Sequence, residues 1–63
     1  MKWKLLFVYR NEIIKRRQED FFPEKGDFIV VDNVSYTVMA RRIDYDNNEV
    51  LIVLMNQICV EQK

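Results

Sequence analysis

The feature that most constrains this chain is a set of short runs in which large apolar residues occupy every second position, separated by pairs rich in asparagine and aspartate. In the first run these positions are Trp3, Leu5, Phe7 and Tyr9. A period of two is typical of a β-strand with one face in a core. Asparagine and aspartate tolerate the left-handed backbone of tight hairpin turns. The sequence therefore predicts short strands joined by tight turns.

Turn-forming residues indicate where the later strands begin and end. Asp32-Asn33 predicts one tight hairpin, and Asp46-Asn47-Asn48 predicts a second. Strands are expected at 2–9, at 28–31, from 34 onward, at 50–55, and in a short closing strand that includes Ile58 and Val60.

Residues 12–20 are compatible with two structures. Ile13 and Ile14 are their only large apolar members, so the segment fits either a strand or a short helix capped by Asn11. A tight turn is expected before this segment, at Arg10-Asn11 or Asn11-Glu12, and its shortness favours the strand.

A change of parity in the fourth run predicts a β-bulge. Ile43 and Tyr45 are odd-numbered, whereas the four residues that share the earlier face are even-numbered: Val34, Tyr36, Val38 and Ala40. Because side chains alternate with a period of two, one residue must be absorbed between them. We expect this bulge, and a sharp bend, at Arg41-Arg42.

A chain of 63 residues provides for a single domain, residues 1–63. The pattern predicts an all-β fold, with one short helix if residues 12–20 are helical. It describes a small SH3-like barrel of five to six strands or a strongly coiled antiparallel sheet.

Three segments carry a family resemblance, namely 23–31 (Pro-Glu-Lys-Gly-Asp-Phe-Ile-Val-Val), 36–38 and 44–50. Together they resemble small phage and mobile-element β proteins with an SH3-like barrel. The resemblance implies a small accessory protein that works by binding another molecule.

The residue types exclude several kinds of chemistry. Histidine is absent and Cys59 is the only cysteine, so the chain offers neither an internal disulfide nor the four ligands of a structural zinc site. A barrel this small is filled by its own side chains, which leaves little room for a substrate cleft. We therefore expect no enzyme activity, no cofactor and no small-molecule substrate.

The apolar runs are too short for export or membrane insertion. The run that begins at Leu5 ends before Arg10, short of the roughly 7–15 residues of a signal-peptide core. Cys59, between Ile58 and Val60, fits a small core residue in a reducing compartment. We expect a cytoplasmic protein with no membrane partner.

The segment Asp44-Tyr45-Asp46-Asn47-Asn48 has the ligand spacing that opens an EF-hand calcium loop. Such a loop requires glycine at its sixth position and glutamate at its twelfth, and here these positions are Glu49 and Met55. We therefore expect a hairpin turn without specific calcium binding.

Charge is balanced overall but segregated along the chain. Residues 1–18 hold six basic side chains and one acidic one, whereas residues 19–63 hold four basic and nine acidic ones. One hypothesis is therefore a nucleic-acid interface in which aromatic side chains stack on bases. The candidate stacking residues are Trp3, Tyr9, Tyr36 and Tyr45. Its candidate phosphate contacts are Lys15, Arg16, Arg17, Arg41 and Arg42. Because the net charge is zero, a protein partner is favoured over nucleic acid.

Strands that are apolar on both faces predict either barrel closure or an apolar interface. The residues opposite the predicted core are Leu6, Val8, Ile29, Val31, Leu51, Val53 and Met55. The leading hypothesis is a small non-enzymatic inhibitor or adaptor that contacts a host protein, or a second copy, through Leu51, Val53 and Met55. The alternatives are a nucleic-acid-binding barrel and a structural subunit of a larger assembly.

Overall fold

A computed structural model, which describes residues 2–59, shows one five-stranded sheet. The strands are β1 (Trp3–Tyr9), β2 (Glu12–Glu19), β3 (Phe28–Val31), β4 (Val34–Asp44) and β5 (Glu49–Cys59). Residues 2–59 contain no helix. The all-β prediction is therefore confirmed, and the segment after Asn11 is a strand.

The strands lie in the order β2-β1-β5-β4-β3. Three of the four neighbouring pairs are antiparallel, as expected, but β1 and β5 are parallel. The parallel pair arises because the chain crosses after β2 to the far edge and returns through β3 and β4. The sheet is strongly curled into a half-barrel, and its two edge strands, β2 and β3, line opposite sides of a groove.

Two hairpin turns have the backbone that the sequence predicts. Asp32 and Asn33 have φ angles of 52° and 66°, and Arg10 and Asn11 have φ angles of 51° and 66°. Positive φ at both central residues matches the right-handed twist of the flanking strands. The third predicted turn is also present, at residues 45–48.

The core lies on the concave side of the curled sheet and consists of eight buried apolar residues: Leu5, Phe7, Val31, Tyr36, Val38, Val50, Ile52 and Leu54. Trp3 and Tyr9 are half-buried and pack against it, which confirms the predicted core face of β1. Burial of a side chain of this size contributes about 1.5–3 kcal/mol. A core this small leaves a chain of this length marginally stable.

The predicted bulge exists but lies in a different place. The ladder between β4 and β5 is regular from Ala40 to Asp44, and its register shifts between Val38 and Ala40, so the extra residue is Met39. The placement at Arg41-Arg42 was wrong because it treated Ala40 as a core residue. Ala40 is exposed, and so small a side chain carries little information about its face.

A second bulge near the end of β5 restores the register. Asn56 and Gln57 together oppose Tyr36, since Ser35 pairs with Ile58 and Thr37 pairs with Met55. Asn56 has a φ of 56°. Ile58 therefore belongs to β5 and not to a separate closing strand, and Val60 lies outside the described residues.

Candidate protein-binding face

The convex face of the sheet, opposite the core, is built from side chains aligned across the strands by their register. Directly paired residues share a face, so the pairing defines its rows. Three consecutive rows are mainly apolar. They are Ile13, Val8, Val53 and Ala40; then Met55, Thr37 and Phe28; then Ile58, Ser35 and Val30.

The three residues predicted to bind a protein lie at the centre of this face. Leu51, Val53 and Met55 alternate along β5 with buried core residues, so they point away from the core. All three are half-buried by their neighbours in the sheet. The structure therefore brings them together on one surface, and none of them belongs to the core.

The most exposed apolar side chains of the convex face lie nearer to β3. Phe28 is 79% exposed, Ile58 is 63% exposed and Val30 is 60% exposed. Ile29 and Val31 were predicted for this face, which was wrong, since Val31 is buried and Ile29 packs against the core. The two-residue turn could have revealed the correct face. It pairs Val31 with Val34, which shares its parity with Tyr36 and Val38.

Basic side chains frame one end of the convex face. The row next to the apolar ones is Arg16, Leu6, Leu51 and Arg42. Three interstrand spacings of about 4.8 Å separate the two arginines, or roughly 14 Å along the sheet. The apolar surface is thus bordered by two separated cations.

The five candidate phosphate contacts do not form a single surface. Arg16 and Arg42 lie on the convex face. Lys15, Arg17 and Arg41 pair with Phe7, Leu5 and Ile52 and therefore lie on the concave side.

Two of the concave cations have partners within the chain. An Arg17 nitrogen lies 2.9 Å from a Glu19 carboxylate oxygen. Arg41 donates a hydrogen bond to the Pro23 carbonyl at 3.3 Å, and its guanidinium carbon lies 5.1 Å from the centre of the Phe22 ring. These contacts partner Arg17 and Arg41 within the chain, although both side chains remain exposed.

The aromatic side chains considered as stacking platforms pack largely on one another. Trp3 makes edge-to-face contacts with Phe22 at 5.5 Å and Tyr45 at 5.9 Å. Tyr9 and Tyr36 lie 5.1 Å apart. Such geometry is typical of aromatic packing in a core, and Tyr45 is the one member of this group that is largely exposed.

The Asp44 segment folds as a turn held by its own side chains. Oδ1 of Asp44 accepts hydrogen bonds from the backbone N–H groups of Asp46 and Asn47, and Oδ2 accepts one from Asn47 Nδ2. These bonds, with the Asn47 amide as the largest cause, lower the pKa of Asp44 from its ordinary value of 3.8. The carboxylate is therefore already occupied by the turn.

Cys59, at the end of β5, differs from its sequence-based interpretation. It is a free, exposed thiol and does not fill the core. Ile58, one of the apolar neighbours that suggested burial, is itself exposed, in the part of β5 that extends beyond its parallel pairing with β1.

Residues 2–59 contain no helix long and apolar enough to span a membrane. In the same part of the chain, no group of three or more His, Cys, Asp or Glu side chains could hold a metal ion. Comparison of the chain with protein-family models, with curated proteins and with solved structures finds no match.

Proposed function

We propose that this chain is a non-enzymatic protein-binding module, an adaptor or inhibitor, that contacts its partner through the convex face. The observation that carries this proposal is the run of three apolar cross-strand rows centred on Val53 and Met55. No element among residues 2–59 covers them, since all five strands belong to the one sheet. A contiguous apolar patch with a charged border is a feature of interaction sites.

Burial of the convex face against a partner contributes favourable free energy to a complex. Leu51, Val53 and Met55 are already half-buried, so completing their burial at an interface would contribute on the order of 2–4 kcal/mol before the association cost is subtracted. The exposed side chains of Phe28, Val30 and Ile58 add to this surface.

The shape and charge of the face favour a different protein over a second copy. Two convex surfaces meet over a narrow strip and bury little area, whereas a concave apolar partner surface can enclose the rows. Arg16 and Arg42 complement carboxylates on that partner, roughly 14 Å apart. The proposed partner surface is therefore apolar, concave and edged with acidic residues.

The non-enzymatic part of the proposal rests on the environment of the ionisable groups. Among residues 2–59 no polar or charged side chain is buried, whereas catalytic groups are commonly desolvated. The exposed thiol of Cys59 supports a role in a reducing compartment such as the cytoplasm. An accessory role in a phage or mobile element belongs to the same proposal and rests on the resemblance of residues 23–31, 36–38 and 44–50.

The test is capture from a cell lysate with and without nuclease, using immobilised wild-type protein, Met55→Glu and the control Gln18→Glu. Gln18 is exposed on the convex face outside the apolar rows. We expect a protein partner that is retained by the wild type after nuclease treatment and is retained equally by the control variant. Met55→Glu should reduce retention by at least about ten-fold, because an unpaired charge would be buried at the interface.

Three results would contradict the proposal: no retained protein, equal retention by Met55→Glu, or loss of all partners after nuclease. The last result would support the nucleic-acid alternative. Thermal unfolding of each variant checks that it is folded.

A further inference from the structure

The two edge strands of the sheet differ in how they are protected from pairing. β2 carries three consecutive basic residues, Lys15 to Arg17, and charged side chains on an edge discourage the addition of another strand. β3 is short and consists of Phe28, Ile29, Val30 and Val31. The free edge of β3 therefore has none of the charges that protect β2.

The register shows which backbone groups of β3 are available. The two-residue turn at Asp32-Asn33 makes Val31 and Val34 a hydrogen-bonded pair. Hydrogen-bonded and non-hydrogen-bonded pairs alternate in an antiparallel ladder. The N–H and C=O groups of Phe28 and Val30 therefore point away from β4, toward the free edge.

This edge opens onto the groove that separates β3 from β2. The groove has a volume of about 920 Å³, and all four residues of β3 line it. Ligand sites typically have roughly 300–1,000 Å³, so a short extended segment of several residues fits beside β3. A neighbouring strand would lie about 4.8 Å from β3.

Charge around the groove selects a basic occupant. Asp27 and Asp32 bracket β3. The groove wall holds four carboxylates against two cations, which are Glu19, Glu24, Asp27 and Asp32 against Lys15 and Arg17. One of the cations, Arg17, is already paired with Glu19.

The same charges disfavour a second copy at this edge. The outward backbone groups require Phe28 of one copy to lie opposite Val30 of the other if two β3 strands pair about a two-fold axis. Such pairing would bring Asp27 and Asp32 of the second copy to a groove wall that already holds four carboxylates, and like charges at close range are destabilising. Asp27 and Asp32 therefore disfavour pairing of β3 with a second copy. They favour a partner segment with lysine or arginine at both ends of an apolar stretch.

We propose that the free edge of β3 binds an extended segment of the partner by strand addition, the segment carrying alternating apolar residues between basic ends. This inference rests on the proposed function, because it requires a protein partner. Outward side chains of the added strand continue the apolar rows beside Phe28 and Val30. Strand addition gives affinity through main-chain hydrogen bonds and specificity through alternate side chains.

The test is an NMR titration of the isotope-labelled chain with two synthetic peptides. In both peptides valine alternates with threonine. One peptide has a lysine at each end, and the other has a glutamate at each end. The lysine peptide should shift the amide signals of Phe28 and Val30 and slow their hydrogen exchange. Val30→Pro, which removes a donor at the free edge without touching the β4 ladder, should abolish binding. Val30→Thr keeps that donor and should bind as the wild type does.

A second variant tests the charge selection without altering the backbone. The double substitution Asp27→Asn and Asp32→Asn retains the side-chain acceptor that holds the 24–27 turn. It should weaken the lysine peptide by about 2- to 5-fold per charge at low salt and remove its advantage over the glutamate peptide. This result remains informative if Val30→Pro does not fold.

Shifts confined to β2 or to the centre of the convex face, or equal binding of both peptides, would overturn the inference. So would concentration-dependent sedimentation that Val30→Pro abolishes, since the occupant would then be a second copy. Failure here is distinguishable from failure of the proposed function. If Met55→Glu no longer captures the partner and no peptide binds at β3, strand addition alone is rejected. If a peptide binds at β3 but no protein is captured from the lysate, the convex-face proposal alone is rejected.

Discussion

Adjacent residues of β5 provide the sharpest test of which face is the core. Ile52 is fully buried on the concave side, and Val53 is half-buried on the convex side. We predict that Ile52→Ala strongly destabilises the chain, whereas Val53→Ala has a small effect.

The magnitudes follow from the side chains removed. Ile52→Ala deletes three carbons at about 0.8 kcal/mol each, and the cavity left behind brings the expected loss to about 3–4 kcal/mol. Val53→Ala deletes two carbons that are already partly in water, so its loss should be about 1 kcal/mol. A chain of this length is expected to have about 3–9 kcal/mol of total stability. Ile52→Ala should therefore leave it close to unfolding.

Urea denaturation followed by tryptophan fluorescence measures both variants. Trp3 is the only tryptophan, and it packs edge-to-face on Phe22 and Tyr45, so its emission reports on the fold. The slope of the free energy of unfolding against urea concentration should be the same for both variants, so that their free energies of unfolding in water can be compared. Equal losses for the two variants, or a larger loss for Val53→Ala, would refute the assignment of faces.

Three further predictions concern the turn and the end of β5. Asn47→Ala should raise the pKa of Asp44 toward 3.8, measured by NMR titration of the carboxyl carbon, and an unchanged pKa would reject the Asn47 bond as its main cause. Because folding lowers this pKa, the stability that Asp44 contributes is present above about pH 4 and disappears as the pH falls through its folded pKa; Asn47→Ala should weaken this acid dependence in urea denaturation. Calcium should show no specific binding by calorimetry, and micromolar binding abolished by Asp46→Ala would prove this wrong. Cys59 should react with a thiol reagent in the native state as fast as in urea, and strong protection would contradict its exposure.

Local patterns in the sequence predict the strands and turns well. The alternation from Trp3 to Tyr9 identifies the core face of β1 because every second position carries a large apolar side chain. Asp32-Asn33 predicts its hairpin because both residues tolerate positive φ, which they adopt.

Features that depend on distant pairing could not be predicted in the same way. The parallel pairing of β1 with β5 joins segments far apart in sequence, and no local pattern encodes it. The bulge at Met39 was misplaced because Ala40 fits either face. The exposed edge at Phe28 and Val30 arises because residues 2–59 place no further strand beside β3, and this depends on the path of the chain through the whole sheet.

The central claim is that the convex face, and not a basic surface, contacts the partner. Site-specific photo-crosslinking in lysate, with and without nuclease treatment, tests it directly, with the photoreactive amino acid placed at Met55 in one protein and at Arg41 in another. Met55 lies on the convex face, and Arg41 lies on the concave side. We expect a protein adduct from position 55 and none from position 41. An adduct from position 41 alone, or adducts that disappear with nuclease, would contradict the claim.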